Sequence, residues 1–132
     1  MSLDIHQREH EGIIVLDLKG RITAGPEAVK LREDVAAIPS HNVVLNLTEV
    51  DYIDSTGLGV LVVCATNLRK AGGGLRLVNV NKRQLELLVI TKLATVFDLF
   101  SDEQDAINSF FPNRHIQTFD ILSFVQNMKK EE

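Results

Sequence analysis

The run Asp54-Ser55-Thr56-Gly57-Leu58-Gly59 places a carboxylate, two hydroxyls and two glycines within six consecutive residues. Two kinds of chemistry fit it. A Ser or Thr hydroxyl at the start of a helix accepts a hydrogen bond from a free backbone N–H of the first turn, which makes a cap. Glycine costs up to about 1 kcal/mol inside a helix, so Gly57 and Gly59 ask for a further reason. A first turn stripped of side chains lets another backbone or protein approach closely. On the residues alone, cap and contact surface both stay open. From Leu58 to Ala65 there is no charged residue. At about 100° per residue, Leu58, Leu61, Ala65 and Leu68 share one side of a helix, the core side. Gly59, Val60, Val63, Asn67 and Lys70 fall opposite. Two valines beside a glycine suggest a contact surface, unless a tail or a second subunit covers them.

Other chemistry finds little support. The chain has no phosphate-binding G-x-x-x-x-G-K-[ST] loop, no G-x-G-x-x-G and no G-x-S-x-G elbow. Gly72-Gly73-Gly74 lies between a helix and a strand, where a helix stop is the expected role. His6, His10, His41 and His115 have no metal-ligand spacing with one another or with Cys64. Cys64, inside an apolar helix, reads as an inert small hydrophobe. No candidate general base accompanies Ser55, so catalysis by this chain is not expected. Neither a metal nor a cofactor is expected.

The whole composition narrows the class. At 132 residues, with 45% hydrophobic and 24% charged, the chain suits one globular domain with its own core. The net charge of -4 argues against nucleic acid as a direct partner, which would require a basic patch. One cysteine excludes an internal disulfide. With no signal-peptide pattern and no apolar run of about 20 residues, a cytoplasmic protein without membrane contact is expected.

The elements that must position the run can be read in order. Leu3, Ile5 and Gln7 alternate with polar residues, as in a half-exposed strand, and Glu11-Gly12 reads as the turn into a second strand, Ile13 to Leu18. Gly20 to Gly25 reads as a loop. Pro26 opens a helix that Pro39 ends. Val43 to Leu47 reads as a buried strand, followed by a polar loop to Asp54. A helix from Leu58 to Ala71, a strand from Leu75 to Val80 and a helix from Lys82 to Ile90 follow. Val96 to Phe100 reads as a short strand. Ser101 with Gln104 reads as a capping box for a helix ending at Pro112. The order β-β-α-β-α-β-α-β-α implies an α/β fold of about five strands and four helices. The sheet is expected to be mostly parallel, with an antiparallel N-terminal strand. In such sheets, sites form at the carboxyl ends of strands, where the 54–59 run falls.

On these residues the chain resembles the STAS family, specifically its bacterial anti-sigma factor antagonists. The matching features are Asn46-Leu47, Tyr52 to Val60, Gly72-Gly73, Leu75 to Asn79 and Ile90-Thr91-Lys92-Leu93. The resemblance spans residues 1 to 111, a single STAS-like domain, and leaves 112 to 132 as a C-terminal extension. It implies phosphorylation at Ser55, with Thr56 as the neighbouring hydroxyl. It also implies partner switching. Unphosphorylated, the protein would bind an anti-sigma factor with serine kinase activity and so release a sigma factor. A serine phosphatase would reset the phosphorylated form. Thr23, Asp54, Gly57, Gly59, Val60, Val63 and Asn67 are the expected partner-binding residues. Many relatives carry Gly-Glu-Leu/Ile-Asp where this chain has Gly20-Arg21-Ile22-Thr23, so two acidic residues are replaced and a cation is gained. The competing reading is a scaffold or regulatory STAS domain in a signalling or transport assembly, with Ser55 never phosphorylated. The extension should form a short amphipathic helix with Ile121, Leu122, Val125 and Met128 in its stripe, packed on the domain or on a second copy in a homodimer.

Overall fold

A computed structural model describes residues 3–131. β1 (Leu3–His10) and β2 (Ile13–Ile22) form the expected hairpin, from Leu3 opposite Gly20 to His10 opposite Ile13. Glu11 and Gly12 both have positive φ, 55° and 82°, as tight two-residue hairpin turns require. β3 (Asn42–Ile53), β4 (Gly74–Val78) and β5 (Asp98–Phe100) then add in parallel, so the sheet runs β1-β2-β3-β4-β5.

Three helices bridge the parallel strands: α1 (Pro26–Ala36), α2 (Ser55–Lys70) and α3 (Lys82–Ile90). Each crossover steps to the next strand in the same direction. Because such crossovers are right-handed, all three helices must lie on one face. The main core shows this, joining Leu16, Leu45 and Leu77 of the sheet to Leu31, Leu61 and Leu88 of the helices. The alternate residues Val15, Val44 and Val78 face the other way, toward Ala106 and Ile107 of α4 (Glu103–Asn108). Arg8 fastens α4 to the hairpin: its Nη2 donates to Asp17 at 2.9 Å and to Glu103 at 2.6 Å.

Several boundaries differ from the sequence reading. β2 continues past Gly20 to Ile22, and β3 continues through the expected polar loop to Ile53. The pairing slips between Asp17 and Lys19 and again between Gly20 and Arg21. Both slips put the extra residue on β3 and break the two-residue alternation of that strand, whereas in β2 Leu16, Leu18 and Ile22 keep to one face across Gly20. Within the extension, Val50 and Ile53 are still buried. The cap of α4 is Asp102, accepting from the Asp105 N–H, in place of the expected Ser101. A full capping box occurs instead at Asn81 and Gln84, at the start of α3. Gly72, at φ 92°, closes the end of α2, with the Gly73 N–H donating to the Leu68 carbonyl at 2.9 Å.

The extension does hold a helix, α5 (Ile121–Glu131). Ile121 and Phe124 pack against the main core, while Leu122, expected in the apolar stripe, is 72% exposed. Phe119 joins the contact: its N–H donates to the Leu99 carbonyl at 3.2 Å, and its ring meets that of Phe124 at 6.3 Å.

Candidate functional site

The parallel register brings the ends of β2 and β3 together, with Ile22 opposite Ile53. The Asp54 N–H extends that pairing by donating to the Ile22 carbonyl at 3.2 Å. Asp54 is then the cap of α2: one carboxylate oxygen accepts from the Gly57 N–H at 2.7 Å, the other from the Ala24 N–H at 2.9 Å. A single side chain thus ties the start of α2 to the loop after β2, which carries Thr23. These donors, Gly57 first and Ala24 next, hold the Asp54 carboxyl below its ordinary pKa, with the nearby Arg21 charge adding to the effect.

The cap is therefore a carboxylate and not the expected hydroxyl. Asp54 outcompetes Ser55 because it stands one residue earlier, with extended backbone, φ -91° and ψ -180°. Ser55 and Thr56 become the first two helical residues, both exposed. Neither hydroxyl makes a hydrogen bond among the described residues.

The expected contact residues separate into two groups. Gly59 is exposed, with nothing within 4 Å of a Cβ placed on it. Val63 is 43% exposed, and Asn67 and Lys70 continue the same open stripe. Gly57 and Val60 do not belong to it. Gly57 is buried, with its Cα close against the Ile22 backbone. Val60 is half-buried and packs on the main core. The sequence reading placed Val60 on the outward face and named Gly57 as a contact residue of a bare first turn; the structure turns Val60 to the flank of the helix and buries Gly57 against β2. Thr23 is half-buried beside the Asp54 anchor.

A second surface beside Ser55 was not read from the sequence. Tyr52, Asp54, Ser55, Arg83, Leu87 and Ile90 line a cleft of about 280 Å³ between the start of α2 and α3. Ile90, at 71% exposed, stands on its rim. Gln84 builds this cleft. It is 4% exposed, donates to the Val50 carbonyl at 3.1 Å and caps its own helix through Asn81. The Asn-x-x-Gln spacing was the available sequence signal for that start. Across the strand pair, the Arg21 guanidinium lies over the Tyr52 ring, 4.9 Å from its centre. Cys64 is buried, and burial pushes its thiol up to about 11, which suits an unreactive packing residue. Among the described residues, no cluster of His, Cys, Asp and Glu is arranged to hold a metal. No helix among them is long and apolar enough to cross a membrane.

Residues 4–106 match the STAS domain family. The chain is a member of that family. The STAS domain is 30% identical, over 81% of this chain and 99% of the relative, to the anti-sigma-B factor antagonist of Bacillus subtilis. It is 24% identical, over 81% of this chain and 94% of the relative, to the anti-sigma F factor antagonist of Paenibacillus polymyxa. Its fold is similar to the crystal structure of an anti-sigma factor antagonist from Mycobacterium paratuberculosis. The TM-score is 0.72 and the identity 23%, with 83% of this chain and 95% of that one covered.

Proposed function

We propose that this STAS domain is an anti-sigma factor antagonist whose binding is gated by phosphorylation of Ser55. The observation that carries the reading is the exposed, unbonded Ser55 hydroxyl at the foot of an exposed stripe, Gly59, Val63 and Asn67. The partner is an anti-sigma factor with serine kinase activity. It packs on that stripe and on the loop holding Thr23 and Asp54, and so gives up its sigma factor. The kinase moves the γ-phosphoryl group of ATP to Ser55 Oγ, leaving ADP and releasing the hydroxyl proton. A serine phosphatase removes the group by hydrolysis.

Local physics supports release of the partner on phosphorylation. A phosphate adds a charge of about -1.5 to -2. Free N–H groups and the helix dipole tolerate an anion at this end of α2, so the fold is retained. The interface suffers instead, because the partner must desolvate the phosphate beside the Asp54 carboxylate. The chain works by binding and carries no catalysis of its own.

Incubation with the kinase and ATP, followed by mass spectrometry, tests the reading. Phosphate on Ser55 is expected, and Ser55→Ala should bind the partner but resist modification. Phosphate on Thr56 alone, or on neither residue, would overturn the assignment.

A further inference from the structure

We propose that Arg83 captures the phosphate on Ser55 and closes the cleft between α2 and α3. The physiological meaning of this step rests on Ser55 being the modified residue.

Ser55 and Arg83 line the same cleft from opposite helices. Both are exposed. Arg83 makes no hydrogen bond, ion pair or ring contact among the described residues. Its backbone is nevertheless well fixed, because the neighbouring Gln84 ties the start of α3 to β3 through Val50. The result is a free guanidinium on a fixed base, facing a residue that gains a dianion. Guanidinium and phosphate match as paired N–H donors and oxygen acceptors, and such charge-assisted pairs are roughly twice as strong as neutral ones.

Arg21 is the rival cation. It is already occupied, lying over the Tyr52 ring and acting on the Asp54 carboxylate. The other charged residues lining the cleft are acidic: Asp51 near the end of β3, Asp54 at the cap of α2, and Glu86 on α3. Alone, they would hold a proton on the phosphate. Arg83 works against them. Its side chain, drawn onto the phosphate, covers the floor made by Tyr52, Leu87 and the rim residue Ile90. The modification therefore removes an apolar surface from the partner as well as adding charge.

The test places phosphoserine at position 55 of the full chain by stop-codon suppression and follows its ³¹P shift against pH. An Arg83 contact should make the second acid constant at least about threefold larger in the wild-type chain than in Arg83→Gln. Arg83→Lys should restore part of the difference, and Arg21→Gln should leave it in place. Circular dichroism establishes that each variant is folded. Equal titration of wild type and Arg83→Gln overturns the proposal, as does a difference that disappears only in Arg21→Gln. Because the phosphate is installed genetically, these outcomes do not depend on any kinase. A kinase that modifies another residue counts against the proposed function alone.

Discussion

A Cβ placed on Gly57 would lie 2.0 Å from the carbonyl oxygen of Ile22. The first turn of α2 therefore sits directly on the end of β2, closer than any side chain allows. Gly57→Ala must push the helix start away from the strand. Overpacking of this kind costs about 1–3 kcal/mol, and a backbone obstacle that cannot rotate aside puts it at the upper end. Gly59→Ala meets nothing within 4 Å and should stabilise the helix by about 0.5–1 kcal/mol. Urea denaturation of the two variants should move in opposite directions; equal midpoints would contradict the geometry.

Val63→Asp should fold normally, since Val63 is 43% exposed on the side of α2 away from the core. A desolvated, unpaired charge within the interface costs several kcal/mol, or more than about a hundredfold in affinity. Calorimetry with the purified anti-sigma factor reads this directly. Undiminished binding by the folded variant would move the contact surface off this stripe.

Acid should loosen the hairpin from α4. A hydrogen bond from Arg8, aided by Asn46 against the effect of partial burial, holds the Asp17 carboxyl at about 2. The same guanidinium lowers Glu103. An unfolded carboxyl titrates near 4, so the folded form binds protons less readily. The stabilisation is then complete above the unfolded value and is lost as pH falls from about 4 toward 2. Asp17 remains partly exposed, which limits the effect to about 1 kcal/mol. Thermal melts from pH 7 to pH 2.5 should show a shallower acid decline in Asp17→Asn than in wild type. Parallel profiles would exclude Asp17 as a source of the loss.

The extension is proposed to act as a cover for the β5 edge, because the Phe119 N–H bonds to the Leu99 carbonyl and the Phe119 ring meets that of Phe124. Truncation after Asn113 should expose that edge and apolar core, lowering the melting temperature and promoting self-association. Light scattering and calorimetry together check this. A truncated chain as stable and as monodisperse as the full one would show that residues 114–132 contribute nothing to the fold.

The order of the elements was legible because it depends on local pattern. The Glu11-Gly12 turn, the apolar run of β2 and the helical spacing of Leu58, Leu61, Ala65 and Leu68 each declare themselves within a few residues. The outward stripe of Gly59, Val63 and Asn67 was legible for the same reason, since helix geometry fixes the rotation between them. The Asp-Ser-Thr-Gly run could be found, but its division of labour could not. Whether Asp54 or a hydroxyl caps α2 depends on the local backbone, and the second partner of Asp54 is the Ala24 N–H, thirty residues earlier. The true length of β3 was hidden by bulges, which interrupt its alternation while the strands still pair; that of β2 was hidden by Gly20, which reads as the start of a loop although Leu18 and Ile22 on either side of it bury in one cluster.

The sequence by itself determined which residues can bury and which faces of each helix can do so, because side-chain chemistry and helical period are properties of the local chain. Only the tertiary structure decided that Gly57 serves the interior while Gly59 serves the surface. Both are glycine in the same turn; what separates them is the Ile22 carbonyl, which reaches one of them and not the other. The cleft shared by Ser55 and Arg83 was likewise beyond local reading. It exists because β3 and β4 are neighbours in the sheet and Gln84 anchors α3 to Val50. Contacts between distant segments follow from how the whole sheet packs, and no window of sequence contains both sides of them.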